Sequence, residues 1–213
     1  MAQAYFARRS MIQSSEWEKA KMTIENITRF KENLKETALH GRTQTFWLAG
    51  RPWPDLTTPE GFAYSDTLRI VYLSIFEDHT NFFEDFEKTF SILDDFAYPI
   101  IMGYASEMGS FKSVIKEYYT YGNFILPLAF HESGYKHMGY HAKLLYRLWR
   151  VRVEIDMLPS WSIEYISENR NNLLCFGGTE VTPTSLRQYE KKLDKELKKI
   201  QKEIEVFRKS SLK

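Results

Sequence analysis

From Trp17 onward the apolar residues return at helical spacing, through Ala20, Ile24, Ile27, Phe30 and Leu34, with polar residues on the other face. Ser15 followed by Glu18 matches a capping box, in which a hydroxyl and a carboxylate satisfy amides at a helix start. Gly41 lies where a C-terminal cap would, so the pattern predicts a first helix over roughly 16 to 39. Gly50, Pro52, Pro54 and Asp55 then mark a loop, pinned by Trp47 and Trp53. Thr58 and Pro59 form a cap and first-turn pair, and helical spacing continues through Leu68, Val71, Ile75, Phe82 and Phe86 to about Phe90.

Beyond this point glycine and proline punctuate the pattern. Pro99, Gly103 and Gly109 predict short pieces, followed by a helix over roughly 111 to 130 with a kink or stop at Pro127. Gly134 precedes a helix over roughly 135 to 158, closed by Pro159, in which the alternation from Val151 to Ile155 also fits a short strand. A short helix over roughly 161 to 171 leads into a linker containing Gly177 and Gly178. The last stretch has the clearest pattern. Leu186, Leu193, Ile200 and Phe207 recur every seven residues, Leu197 and Ile204 occupy the alternate seam position, and most of the rest is charged. The repeat covers about three heptads, interrupted early by Glu190, and it fits either self-association or docking on the chain's own bundle.

These elements predict an all-α multi-helix bundle of about six to eight helices with a long, charged, amphipathic C-terminal helix. The bundle is assigned to residues 1–172, the linker to 173–184 and the C-terminal helix to 185–213.

Composition adjusts this picture modestly. A chain of 213 residues with 43% hydrophobic and 27% charged residues has the makeup of a globular protein able to bury its own core. Its 33 aromatics, 15 Phe, 13 Tyr and 5 Trp, are enough to dominate that core. With 29 Lys plus Arg against 28 Asp plus Glu, the net charge of +1 supplies no global field for nucleic acid or acidic lipid, so such binding has to come from local patches. The lone Cys175 excludes an internal disulfide, suits a reducing compartment and reads as an inert buried thiol. Asn26-Ile27-Thr28 matches a glycosylation sequon, and residues 1–15, acid-free with Arg8 and Arg9, have some features of an organellar presequence, yet a cytoplasmic location is the expectation. No stretch approaches the roughly 20 apolar residues of a membrane span, so no membrane partner is expected.

Three constellations could carry chemistry. His131, His137 and His141 fall close together, and the spacing of the last two puts both imidazoles on one helical face, as a divalent metal requires. This His-x3-His pair resembles the metal site of DinB-type helical bundles, which would make His79 the third ligand. The plainer reading is surface or capping histidines. The acidic run Glu77, Asp78, Glu84, Asp85 and Glu87, with Asp94 and Asp95 beyond it, could bind magnesium, and the paired aspartates of an aromatic-rich helical chain are similar in outline to a terpenoid cyclase, without that family's third acid. A solvated helix face is the expectation. Lys143, Arg147 and Arg150 line one helical face with Arg152 nearby and Tyr146 and Trp149 interleaved, a workable surface for RNA or single-stranded DNA. Salt bridges to the acidic run at 77–87 are the competing use of the same cations.

No phosphate-binding, dinucleotide, nucleophile-elbow or zincin motif is present, nor the Arg-to-His spacing of small helical RNases. The leading expectation is therefore a non-enzymatic interaction or assembly protein needing no cofactor. Its C-terminal helix would self-associate or bind a partner through Leu186, Leu193, Leu197, Ile200, Ile204 and Phe207. Nucleic-acid binding at 143–152 is the second expectation, and a metal-dependent activity at His137 and His141 the third.

Overall fold

The computed structural model describes residues 2–37, 82–131, 139–157 and 182–211, and these are helical apart from short turns. Among the described residues five helices run in chain order, an all-α arrangement that leaves the expected count of six to eight open: α1 (Ala2–Lys35), α2 (Phe82–Met102), α3 (Glu107–His131), α4 (Tyr140–Met157) and α5 (Pro183–Ser211). Of the helix expected from Pro59 to about Phe90, residues 59–81 lie outside the described residues, as do the helix expected at 161–171, the loop at 42–58 and most of the linker. Among those residues no helix is long and apolar enough to cross a membrane.

Helix α2 is the hub, packed against the other four described helices, while α4 lies between α2, α3 and α5. The centre is aromatic. Phe30 of α1 stacks on Phe96 of α2 with ring centroids 4.2 Å apart, and Trp149 of α4 meets Tyr118 at 5.0 Å and Phe111 at 5.6 Å edge to face. All five rings are buried, in geometries that add about 1 kcal/mol per pair beyond their area.

Several boundaries differ from the sequence expectation. Helix α1 starts at Ala2, so Ser15 and Glu18 sit inside it; nothing between Ala2 and Ser14 breaks a helix, and the capping-box match had no upstream stop to act with. Its buried side also differs. Thr23, Asn26, Phe30 and Leu34 face the bundle, while Trp17 and Ile24 are exposed. Thr23 accepts from the Ser106 backbone N–H at 2.7 Å, and Asn26 Nδ2 donates to the Phe96 carbonyl at 2.9 Å, so two polar residues anchor this helix. Asn26 is thereby buried and hydrogen-bonded, which leaves its sequon no accessible acceptor.

Pro99 does not stop α2 either. It occupies the last turn, and the helix continues to Met102 before Gly103, at a φ of 87°, turns the chain into a conformation that side chains disfavour. Helix α3 begins under a Ser106 cap, whose hydroxyl accepts from the Gly109 N–H at 3.2 Å, and runs through Pro127 to His131. The stretch from Val151 to Ile155 is helical, and the strand alternative fails there because α4 buries it on the faces of a helix.

Candidate functional site

Helix α5 starts at a reciprocal cap. Thr182 Oγ1 accepts from the Ser185 N–H at 3.1 Å, Ser185 Oγ accepts from the Thr182 N–H at 2.6 Å, and Pro183 takes the first helical position. From this fixed start the seven-residue stripe faces inward. Leu193, Ile200 and Ile204 are buried, and Leu186, Leu197 and Phe207 are partly buried and packed on the same core. The seam that the sequence offered for self-association is covered by α4 and α2 of its own chain.

Three polar tethers hold α5 in that position. Near its start, the buried Tyr189 hydroxyl donates to Glu154 of α4, whose other oxygen lies 3.3 Å from Arg150 Nε. At mid-length, Arg147 Nη1 donates to both oxygens of Glu203 at 3.2 and 3.1 Å, with Glu196 3.8 Å from Nη2. Toward the end, Arg208 lies over Gly103 and donates to the carbonyls of Ile100 and Ile101, closing the C-terminus of α2. Burial pulls the Arg208 guanidinium below its ordinary value, with Glu205 opposing.

The basic-aromatic set at 143–152 is therefore engaged inside the molecule. Tyr146 and Trp149 are buried and present no face to a base, and Arg150 is buried beside Glu154. Arg152 pairs with Glu107 of α3, Nε donating to Oε1 at 2.8 Å and Nη2 lying 2.6 Å from Oε2, and Trp149 Nε1 donates to the same Oε1 at 2.9 Å. Lys143 is half-buried, and loss of water pulls its ammonium below the ordinary lysine value despite the opposing charge of Asp94. The acidic partners are thus Glu107, Glu154, Glu196 and Glu203. Of the run at 77–87, residues 77–81 lie outside the described residues, and Glu87 is exposed.

Of the histidines, His79 and His137 lie outside the described residues and His131 ends α3. His141 sits 3.1 Å from Asp94 through Nδ1, ringed edge to face by Tyr98 and Phe207 at 5.0 and 5.5 Å. The other Asp94 oxygen accepts from the Ala142 N–H at 2.8 Å, so this carboxylate caps α4 from a neighbouring helix. Gly139 precedes that cap at a φ of 61°, against the Phe90 ring. Asp95 is exposed. Among the described residues no group of three or more His, Cys, Asp or Glu could hold a metal ion.

What remains presented to solvent is the side of α5 opposite the seam. Lys191, Lys195, Lys198, Lys202 and Lys209 are exposed and succeed one another at separations of three, four and seven residues, which sets them on one side of an α-helix. None of the five forms an ion pair among the described residues. The helix as a whole carries nine basic residues against five acidic ones. Two of those acids, Glu196 and Glu203, turn toward Arg147; of the exposed acids Glu190 lies off the lysine row, Asp194 borders it, and Glu205, three residues after Lys202 and four before Lys209, stands within it, leaving the row with five cations to one carboxylate. The sequence reading centred on the seam does not include this row, whose signal is the basic excess of α5 within a chain of net charge +1. No protein-family model matches the chain, and no curated protein or solved structure does so either.

Proposed function

We propose that this protein is a non-enzymatic interaction protein whose docking face is the outward side of α5. The observation that supports this reading most is that the helix's apolar seam is occupied by its own bundle, leaving the lysine row as the presented face. Self-association through the seam would require α5 to give up the contacts of Tyr189, Arg147 and Arg208 together with its buried leucine and isoleucines. A row held on a docked helix is preorganised, so binding orders no new backbone and carries a smaller entropic cost.

Retention on immobilised heparin, a polyanion of no particular sequence, tests the reading. The native chain is expected to elute at distinctly higher salt than a variant with Lys191, Lys195, Lys198 and Lys202 all changed to Gln. A variant with the same charge loss elsewhere, at Lys19, Lys21, Lys35 and Lys88, is expected to elute close to native, since these exposed lysines lie on α1 and α2. Coincident elution of the two variants would show that net charge alone sets retention and would remove α5 as the docking face.

A further inference from the structure

Resting on that reading, we infer that the partner of the α5 lysine row is the phosphate backbone of a nucleic-acid duplex, bound without sequence preference. The chemistry of the row is narrow. Its cations are all lysines, compact point charges that meet phosphates singly, rather than arginine forks that read base edges in pairs, and they outnumber its one carboxylate, Glu205, five to one. No aromatic residue joins it, because Tyr189 is buried at the seam and Phe207 packs on the core, so bases have nothing to stack upon. Such a face positions on phosphates and reads no sequence.

Its length and charge suit a duplex. From Lys191 to Lys209 the row covers about 27 Å at the rise of an α-helix. A duplex carries one charge per roughly 1.7 Å of axis, so five lysines spread over that length face a phosphate surface far denser in charge than themselves. Higher charge density and more counterion release favour a duplex over a single strand. A protein partner fits less well, since stable protein interfaces centre on buried aromatic or aliphatic anchors and are depleted in lysine. On this side of α5 the one large exposed apolar residue is Val206. An acidic membrane fits less well too: helices that lie in a bilayer surface insert an apolar face, and the apolar face of α5 is packed on α4 and α2.

The test uses the full chain with four fluorescent probes: two duplex DNAs of unrelated sequence, a single strand of equal length, and vesicles containing phosphatidylserine. Anisotropy, or co-sedimentation for the vesicles, is followed over a salt series. Five phosphate contacts predict a log–log salt slope of about −4.5, or about a 500-fold loss of duplex affinity between 50 and 200 mM salt. Both duplexes are expected to bind equally and the single strand more weakly, with a slope nearer −3.5. The Lys191/195/198/202→Gln variant should weaken to a slope of about −1, losing only about 3- to 4-fold over the same salt range. The Lys19/21/35/88→Gln control should match the native chain. A strong preference between the duplexes, or equal duplex binding by both variants, would overturn the inference. Heparin retention that depends on α5 without duplex binding would defeat the nucleic-acid assignment while leaving the docking face standing, and binding to vesicles alone would reassign the partner. Loss of the α5 dependence on heparin as well would defeat both.

Discussion

Glu107 offers the sharpest check on the claim that the 143–152 segment holds the fold together. Its carboxylate accepts from Trp149 Nε1 at 2.9 Å and Arg152 Nε at 2.8 Å, and its second oxygen lies 2.6 Å from Arg152 Nη2. Glu107→Ala leaves the indole N–H of a fully buried Trp149 without its acceptor, which costs about 1–3 kcal/mol. The ion pair is about one-fifth exposed at each side chain, so its loss adds nearer 1 kcal/mol than the full value of a dry pair. Removing an acid from the first turn of α3 adds a few tenths more. The total is about 3 kcal/mol, equivalent to a fall in Tm of roughly 6–12 °C for a chain of this length. Glu107→Gln retains one carbonyl acceptor for the indole and should lose about half as much. Urea unfolding followed by far-UV circular dichroism gives both values. The reasoning is refuted if Glu107→Ala stays within about 0.5 kcal/mol of native, the range of a surface change away from any such contact.

Other outcomes follow from individual contacts. Gly139→Ala should cost about 2–5 kcal/mol in urea unfolding, because its Cβ would stand 2.1 Å from Phe90 Cζ at a φ of 61°, and Phe90→Leu in the same chain should recover part of that loss. Leu193→Ala, at a fully buried seam position, should destabilise by about 2–5 kcal/mol at every protein concentration, whereas the exposed Lys195→Ala should be nearly neutral. Burial pushes the Tyr118 and Tyr119 phenols well above the usual tyrosine value. The unfolded chain therefore loses these protons first, and stability present below about pH 10 falls as pH rises beyond it. Tyr119→Phe should make that fall shallower by about 1.4 kcal/mol per pH unit, measured as unfolding midpoints across the alkaline range.

The fold class and the seam of α5 were legible because each rests on a local period, and Leu193, Ile200 and Ile204 stand where the repeat put them. What covers the seam was not, since any complementary apolar face, in cis or in trans, satisfies the same spacing. The cap of α4 was illegible for a related reason: its acceptor, Asp94, lies 48 residues away on another helix. Arg147, Arg150 and Arg152 lie on a spacing that suits phosphates and carboxylates alike; Glu154 stands four residues after Arg150 on the same helix, a local pair open to the sequence, whereas only the tertiary arrangement brings Glu203 to Arg147 and Glu107 to Arg152. The start of α5 could have been read, because Thr182, Pro183 and Ser185 carry the same cap and first-turn signal as Thr58 and Pro59.

Docking of α5 on its own chain is tested most directly by amide hydrogen exchange over residues 186–207, measured at widely spaced protein concentrations. Docking in cis predicts slow exchange at the amides around Leu193, Ile200 and Ile204, comparable to those of α4 and unchanged on dilution. Protection that is lost on dilution and returns as concentration rises would place the seam against a second copy of the chain and contradict the account.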